Sequence, residues 1–518
     1  MRSEVFQEDA PAFGARGTVL APGRNCQQIA MAHRAAFLID AEAYFAALDE
    51  ALRSATRSIF IIGWDFDARI QLRPQDGEDA PNLGTLLRKL VEERPELEIR
   101  ILVWSLAALH APGATIPLVF GAEWEEHPRI RLRLDTHHPI HAAHHQKIVT
   151  IDDSLAFIGG MDLTVGRWDT PKHRKDDPRR NGPNGIACNP VHDLQMALDG
   201  PVARAIAEVA RDRWVELTGE KVPFSKPAER WPENLATDFS HVPVAIARTI
   251  PGLGGAKGVG EVALLTGDLL KSARRTVYIE AQYFTAKRLR KILRKVLSRR
   301  HGPEIVVICT RHANGFIERF IMGANRERLL RSLKRWDRYD RLRVYYPALD
   351  GQEDDGILLV HAKLMIIDDR FLRLGSANLN NRSMGLDTEC DVVIEADRPE
   401  TRQAIARCRE RLIAEHLDLD PAMVRETMRQ ENSVIRTIEK LNRQSGRCLC
   451  AIDVRPGPTH SFPGTRLLDP ERPFRLVEWL RSKWRRIFGQ DAVSAPGRDS
   501  NASDRASRML PMKSGRRK

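Results

Sequence analysis

The sequence predicts an α/β protein built from two similar halves that pack around a pseudo-two-fold axis. The main observation is a long internal repeat. The segment HQKIVTIDDSLAFIGGMDLT begins at His145, and HAKLMIIDDRFLRLGSANLN begins at His361, which is 216 positions later. The two segments align without a gap, so chance similarity between ordinary amphipathic segments is a poor explanation.

The elements around the repeated motif also occur twice and in the same order. Residues 51–66 and 269–284 each read as the end of a helix followed by an apolar, β-branched strand. Two further pairs of strands match, namely 97–105 with 303–310 and 130–139 with 342–350. Each half therefore has the order strand, helix, strand, strand, motif, strand.

Composition and turn residues indicate where each part begins and ends. A connection rich in proline and polar residues separates the halves, and the last residues are rich in serine, arginine and glycine. The predicted parts are a loose leader (1–32), the first half (33–217), the connection (218–242), the second half (243–420), a helical extension (421–489) and a basic disordered tail (490–518).

Composition excludes several classes of protein. With 42% apolar and 29% charged residues, the 518-residue chain is typical of a globular protein and unlike collagen, a coiled coil or a wholly disordered chain. Seven scattered cysteines favour a reducing compartment over a disulfide framework. No apolar run reaches the roughly 18 residues of a membrane span, and the N-terminus lacks the apolar core of a signal peptide. We expect a cytoplasmic or peripheral membrane location, with export independent of a signal peptide left open.

The repeated motif has the form His-x-Lys-x4-Asp. It comprises His145, Lys147 and Asp152 in the first half and His361, Lys363 and Asp368 in the second. On a strand, residues i and i+2 share a face, so each His and Lys would point together. Lysine supplies a point charge for phosphoryl oxygens, histidine can attack phosphorus or carry a proton, and an aspartate can orient an imidazole.

Small residues follow each motif at the same distance, and they would let backbone amides approach a phosphate. They are Gly160 with Asp162 in the first half, and Ser376 with Asn378 in the second. The pattern predicts one shared site in which one histidine attacks phosphorus and the other protonates the leaving alcohol. Two lysines already supply the positive charge, so we expect neither a metal nor another cofactor in the reaction.

The motifs resemble the HKD signature of the phospholipase D superfamily, over roughly residues 35–420. The segments that carry the resemblance are HHQKIVTIDDSLAFIGGMDLTVGRWD (144–169), PVHDLQMALDGPVA (190–203), YIEAQYF (278–284) and HAKLMIIDDRFLRLGSANLNNRSMGLDTE (361–389). The resemblance implies the duplicated phospholipase D fold, with one active site between the halves and a phosphohistidine intermediate.

The resemblance also implies roles for individual residues. His145 would be the nucleophile and His361 the general acid and base. Phosphate contacts would come from Lys147, Lys363 and Asn378. Glu280 and Glu389 would hold the imidazoles across the interface, and Gln282 would lie beside them. Asp152 and Asp368 occupy the family's acidic position, more as orienting residues than as proton carriers. Ala281 stands where the family often has asparagine.

The function implied is that of a phospholipase D, which hydrolyses the distal phosphodiester of glycerophospholipids to phosphatidate and a free head group. The substrate partner is then a phospholipid at a membrane surface, and the duplication supplies a complete site in a monomer. A cardiolipin or phosphatidyl transferase is the first alternative. A nuclease of the same superfamily is the second. We expect no nucleic-acid partner, because stacking aromatics do not alternate with basic residues around the motifs.

Three other segments allow functional hypotheses. Five crowded histidines offer a zinc site as a further alternative, namely His137, His138, His141, His144 and His145. Residues 473–488 have an apolar and an arginine-rich helical face, which suits either an anionic lipid surface or docking on the body. The long charged loop 169–190 reads as a lid or as solvated surface, and the acidic residues 353–355 would favour a cationic head group.

Overall fold

The computed structural model describes residues 18–473 of the protein. Within that range it leaves out residues 78–79, 105–125, 140, 184, 313–315, 351–356, 463–464 and 466–468. The hypotheses on residues 353–355 and on the amphipathic segment 473–488 therefore fall on residues that are, apart from Pro473, outside the described part.

The described part of the first half contains eight strands and three α-helices. The strands are β1 (Gln28–Ile39), β2 (Ser58–Gly63), β3 (Glu98–Trp104), β4 (Ile130–Asp135), β5 (Ile148–Ile151), β6 (Leu155–Gly159), β7 (Val191–His192) and β8 (Leu194–Asp199). The helices are α1 (Asp40–Ser54), α2 (Leu83–Glu93) and α3 (Pro201–Thr218).

The second half repeats this pattern. Its strands are β9 (Phe239–Ile250), β10 (Val259–Gly260), β11 (Thr276–Ala281), β12 (Glu304–Cys309), β13 (Leu342–Ala348), β14 (Leu359–Val360), β15 (Lys363–Ile367), β16 (Phe371–Gly375) and β17 (Glu389–Glu395). Its described helices are α4 (Glu261–Ser272), α5 (Lys287–Leu297), α6 (Phe316–Lys334) and α7 (Pro399–Leu417). Beyond it lie α8 (Pro421–Glu431), α9 (Val434–Leu441) and β18 (Cys448–Ala451).

One large mixed sheet runs through both halves. From the junction outward, the first half has the order β1-β8-β6-β5-β2-β3-β4, and the second has the matching order β9-β17-β16-β15-β11-β12-β13. The halves join where β1 and β9 pair antiparallel, with Gln28 opposite Ile246 and Ala35 opposite Phe239. This mirrored order confirms the predicted duplicated α/β fold.

Local sequence explains why these elements form. The strand β2 (SIFIIG) is buried along its whole length and pairs parallel with β3, which fits its continuous apolar run. The helix α2 begins after Asn82, whose side chain accepts a hydrogen bond from the Thr85 amide. The helix α3 starts with Pro201 and ends before Gly219, which adopts the left-handed conformation that glycine favours.

Helices cover both faces of the sheet. The apolar core on one face continues across both halves and includes Trp214 of α3 and Leu412 of α7. On the other face each half has its own core, with Phe45 of α1 in the first and Leu269 of α4 in the second. The shared core explains why the described residues between 18 and 473 belong to one compact unit.

Two boundaries differ from the predicted ones. The strand β1 begins at Gln28, inside the predicted leader, because these residues pair with β9. In the described part of the predicted helical extension, the helices end at Leu441, after which β18 adds a strand to the sheet edge beside β13. Among the described helices, none is long and apolar enough to cross a membrane.

Candidate active site

The two motif histidines lie where the halves meet. The backbone N–H of His145 donates to the Thr388 carbonyl of the second half at 3.1 Å. In the same way, the N–H of His361 donates to the His192 carbonyl of the first half at 2.8 Å. Short parallel β-bridges flank both contacts, so each half fixes the backbone of the other half's histidine.

Each imidazole is also held by a carboxylate from the opposite half. Nδ1 of His145 lies 3.0 Å from Glu389 Oε2, and Nδ1 of His361 lies 2.6 Å from Asp193 Oδ2. These contacts engage Nδ1 of each ring, which leaves Nε2 for a reacting group. A carboxylate in this position orients an imidazole and stabilises its charged form.

The two motif lysines are buried and have different partners. Nζ of Lys147 lies 3.1 Å from Asp162 Oδ2, which makes a buried ion pair. Nζ of Lys363 instead lies 3.4 Å from the amide oxygen of Gln282 and 3.0 Å from Nδ1 of His361. Only the first lysine therefore has a carboxylate in direct contact.

Burial and neighbouring charges shift the pKa values of these groups. Burial, together with Lys147 and Lys363, holds the pKa of His145 well below its ordinary value. Burial lowers the pKa of Lys363 to about 7, although the charge of Asp193 opposes the shift. The effect of Lys363 on His145 shows that groups of the two halves are within electrostatic reach of each other.

The two carboxylates that hold the imidazoles differ as well. Burial raises the pKa of Glu389 to about 7, against the hydrogen bond from Ser376. Burial also acts to raise the pKa of Asp193, but the charges of His361 and Lys363 outweigh it and hold the value at about 2. At neutral pH, Asp193 is thus ionised, whereas Glu389 is near its midpoint.

The small residues after each motif lie against these carboxylates. Oγ of Ser376 donates to Glu389 Oε2 at 2.5 Å. At the matching position, a Cβ on Gly160 would lie 2.1 Å from Asp193 Oδ1, so only glycine fits there. The side-chain oxygen of Asn378 is buried without a hydrogen-bond partner in the structure. A bound ligand that donates a hydrogen bond would satisfy it.

The structure places Asp152 and Asp368 away from the imidazoles. Asp152 accepts hydrogen bonds from the backbone N–H groups of 56–58, and Asp368 accepts them from those of 274–276. Lys147 precedes β5 and Lys363 begins β15, whereas Asp152 and Asp368 follow these strands. Each lysine is therefore about 16 Å from its aspartate at the usual rise per residue. The prediction that Asp152 and Asp368 are catalytic is therefore corrected. Asp152 anchors the turn before β2, and Asp368 anchors the turn before β11.

Glu280 does not hold a motif imidazole. Its carboxylate accepts from Tyr278 Oη at 2.6 Å and lies 2.7 Å from Nε2 of His192 and 3.0 Å from Nε2 of His416. The partner of His361 is Asp193, which the sequence analysis missed. The strand register shows that Asp193 and Glu389 are equivalent, since Gln195 lies opposite Gly159 as Asp391 lies opposite Gly375. The sequence hides this, because Asp193 follows its motif histidine at a longer distance than Glu389 does.

The five crowded histidines do not converge on one point. His144 is buried and contacts Thr388 Oγ1 at 2.6 Å, His138 accepts from the indole of Trp104, and His145 faces Glu389. The groups of metal-ligating side chains found in the described part of the chain lie elsewhere and include none of these five. The zinc hypothesis for this segment is thus not supported by the geometry.

Comparison with known proteins identifies the family. A family model described as "Phospholipase D" matches residues 130–232, and one described as "Cardiolipin synthase, PLD-like domain" matches residues 267–412. Each match contains one copy of the motif. The chain is a member of the phospholipase D superfamily.

Curated members of the superfamily resemble the chain along much of its length. Phospholipase D A of Dictyostelium discoideum is 25% identical over 472 residues, which cover 74% of this chain and 35% of that protein. Phospholipase D alpha 1 of Carica papaya is 24% identical over 547 residues, covering 77% of this chain and 66% of that protein. The chain spans between 20% and 35% of the length of the first three curated relatives.

A solved structure supports the superfamily fold. The phosphatidylserine synthase of Haemophilus influenzae Rd KW20 superposes with a TM-score of 0.50 at 15% identity, over 79% of this chain and 95% of that one. At this identity the likeness concerns the fold alone.

Proposed function

We propose that this protein is a phospholipase D that hydrolyses the distal phosphodiester of glycerophospholipids to phosphatidate and a free head group. The observation that carries the proposal is the pair of motif histidines, each bound through Nδ1 to a carboxylate of the opposite half. Two buried lysines accompany them. This set can supply a nucleophile, a proton carrier and positive charge for one phosphate.

In the first step, Nε2 of His145 attacks phosphorus while the bond from phosphorus to the head-group oxygen breaks. His361 gives its proton to the departing oxygen. The lowered pKa of His145 keeps its ring neutral and able to attack at ordinary pH. Its side chain is also the more accessible of the two, at 15% exposed against 7% for His361. The pKa of His361 is lowered by burial in the same way, so it is the greater accessibility that favours His145 as the nucleophile.

In the second step, His361 removes a proton from water, and the oxygen of that water attacks the phosphohistidine. The bond from phosphorus to nitrogen breaks, and phosphatidate leaves with both rings restored. The ionised Asp193 stabilises the imidazolium form of His361 each time it carries the proton. In the free protein, burial and then the charge of Lys363 lower the pKa of His361. The negative phosphate would offset the charge of Lys363 and so favour the imidazolium form.

The remaining residues would hold the phosphate. Lys147 and Lys363 neutralise the charge on its oxygens, and Asn378 lies on the same segment as Ser376 and faces inward as a buried side chain. Gln282 positions the ammonium of Lys363. Glu280 and the two aspartates Asp152 and Asp368 are left out of the proposed site.

Hydrolysis and transfer differ only in the molecule that attacks the intermediate, which is water in hydrolysis and an alcohol in transfer. The curated relatives named above are phospholipases D, which favours water. The family model that matches the second half is described as "Cardiolipin synthase, PLD-like domain". This description favours transfer to an alcohol as the second candidate. In both cases the substrate is a phospholipid, so the protein must reach a membrane surface.

The test is a panel of defined phospholipids in mixed micelles, assayed for free head group and for phosphatidate. We expect equal amounts of both products from the natural chain and none from His145→Asn. Phosphatidylglycerol is the diagnostic substrate, since conversion to cardiolipin would show transfer and overturn hydrolysis. Release of nucleotides from single-stranded DNA, with no turnover of any lipid, would overturn both candidates.

A further inference from the structure

A second cluster of ionisable side chains is buried between the halves, behind the candidate active site. It consists of Asp40 at the start of α1, His173 in loop 169–190, His192 in β7 and Glu415 in α7. We call it the Asp40 cluster. One ligand atom from each residue lies within 4.8 Å of the others, and all four residues are buried.

The two imidazoles of the cluster face carboxylates on both sides. Nδ1 of His173 lies 2.9 Å from Asp169, and its Nε2 lies 3.2 Å from Glu415. Nε2 of His192 lies 2.7 Å from Glu280, and its Nδ1 lies 2.7 Å from Glu415. A neutral imidazole carries one N–H and can donate to only one of its two neighbours. The site therefore requires two additional positive charges, either as two protons or as one divalent cation.

The geometry favours the cation. Nδ1 of His192 and Oδ2 of Asp40 are buried and make no hydrogen bond of acceptable geometry, despite their short distances to neighbours. Two extra protons would leave these atoms unsatisfied at a cost in stability. A metal ion at the centre of the cluster would bind both.

Three of the four separations between an imidazole and a carboxylate ligand atom are close to those of a metal site. Oδ2 of Asp40 lies 3.4 Å from Nε2 of His173, Oδ1 of Asp40 lies 3.2 Å from Nδ1 of His192, and Oε1 of Glu415 lies 3.2 Å from Nε2 of His173. The fourth, from Oε1 of Glu415 to Nδ1 of His192, is 2.7 Å and would have to lengthen around an ion. Tetrahedral zinc with bonds of about 2.0–2.1 Å separates its ligand atoms by about 3.3 Å. Two imidazoles with two carboxylates are a ligand set that suits zinc and similar divalent transition metals.

The outer contacts have the form found around metal-binding histidines, in which the nitrogen that does not bind metal donates to a carboxylate. Asp169 takes this position for His173 and Glu280 for His192. Asp169 is fixed in turn by Arg180 at 2.9 Å. A cleft whose lining includes Pro171, Lys172 and Glu415 offers the cation a route from solvent.

We propose that the Asp40 cluster binds one divalent transition-metal ion, for which zinc is the best match, through Asp40, His173, His192 and Glu415. The ion is structural and takes no part in the chemistry at phosphorus. It joins α1, loop 169–190, β7 and α7, and so connects both halves. It also supports the general acid, because Asp40 exchanges backbone and side-chain hydrogen bonds with Asp193, whose carboxylate holds His361.

The test is the metal content of the full-length protein, purified without a metal-affinity column and dialysed against metal-free buffer. Elemental analysis should find about one zinc, or one other divalent transition metal, per chain. The variant His173→Gln should lose most of that metal. The matched control His416→Gln, which removes a histidine that contacts Glu280 but not the cluster's centre, should keep it.

A second measurement avoids variants that fail to fold. Cobalt exchanged into the natural chain should give the intense visible bands of four-coordinate Co²⁺, and chelation should remove both the bands and part of the thermal stability. A natural chain that is folded, that contains no transition metal and that takes up neither zinc nor cobalt would overturn the proposal in favour of two imidazolium ions. These readouts do not use lipid turnover, so they stand apart from the proposed function.

Discussion

The two copies of the motif share one backbone arrangement but differ in the groups around it. In the first copy, His145 faces Glu389, and Lys147 is paired with the carboxylate of Asp162. In the second, His361 faces Asp193, and Lys363 contacts the neutral amide of Gln282. The differences come from single residues that differ at matched positions of the repeat. For example, Asp162 stands in the first copy where Asn378 stands in the second.

These substitutions give the two halves different electrostatics. Glu389 has a pKa near neutrality and Lys363 has a lowered one, whereas Asp193 remains ionised. A symmetric site would give both histidines the same task. In the proposed mechanism, the different carboxylates and amides beside the rings would assign attack to one ring and proton transfer to the other.

The largest expected effect comes from removing one ring at a time. Both His145→Asn and His361→Asn should lower kcat on natural phospholipids by about 10⁴-fold or more, since each step needs both rings. A substrate with a good leaving group, such as a nitrophenol, does not need His361 to protonate the departing oxygen. We then expect His361→Asn to accumulate ³²P-labelled protein that is stable to alkali and labile to acid.

The control for this experiment is His145→Asn with the same activated substrate, which should acquire no label. Labelling of His145→Asn in place of His361→Asn would reverse the assignment of the two halves.

The two carboxylates should differ in the size of their effect. The variant Asp193→Asn should lower kcat by about 10³-fold, because it removes an ionised partner of the proton carrier. The variant Glu389→Gln should cost only about tenfold at pH 7, where that carboxyl is already near its midpoint. Steady-state kinetics on one lipid, with circular dichroism to verify folding, measures both. Equal losses would remove the proposed asymmetry.

The pH dependence tests the lysines. Below about pH 7 Lys363 carries its charge, and above it the charge is lost, so kcat/KM should fall as the pH rises through about 7. The variant Lys363→Arg keeps its charge at all these pH values and should lose this alkaline limb, even if its overall kcat/KM is lower. An unchanged limb in that variant would assign the titration to another group. The matched change Lys147→Arg, on the lysine paired with Asp162, should leave the limb in place.

The smallest effect on catalysis is expected for the motif aspartates. Replacing Asp152 by Asn should lower the free energy of unfolding by about 1–3 kcal/mol, because it removes a charged acceptor of backbone N–H groups. The activity per folded molecule should be unchanged. Thermal melts and kcat on the same samples separate the two. A loss of kcat without a loss of stability would return Asp152 to the catalytic set.

The same variant has a predictable pH dependence. Burial acts to raise the pKa of Asp152, but the hydrogen bonds from Ser58, Arg230 and neighbouring amides lower it on balance. Its stabilisation is therefore fully present above the pKa of the unfolded chain, about 3.9, and is lost as the pH falls through the folded value. The stability difference between the natural chain and Asp152→Asn should shrink in acid.

The repeat allowed the fold and the positions of His145, Lys147, His361 and Lys363 to be predicted, because matching strand patterns specify matching places in a sheet. The cross-half partner Glu389 was predicted only by resemblance to the family. The partner Asp193 was missed, and Glu280 was proposed in its place. Both residues are acidic, and both are far from His361 in the sequence. Only the pairing of β7 with β14 shows which of them meets the imidazole of His361.

The loop 169–190 shows a different limit. Its charged composition predicted a lid or a solvated surface, yet Asp169, His173 and Arg180 are buried. The loop turns inward because its charges find partners on distant segments, such as Asp40 and Glu415. Local sequence cannot show partners that are more than 100 residues away.

The junction between β1 and β9 has a consequence for how the molecule is made. These strands are separated by some 200 residues of chain, and contacts of such long range form late and slowly during folding. Each motif imidazole takes its carboxylate from the opposite half, so neither pair can form before both halves have been made. A ribosome-bound chain that has emerged only through its first half therefore has one motif but no complete reaction centre. The two pairs are complete only once the chain has been made through Glu389, so completion of the candidate site is tied to synthesis of the second half.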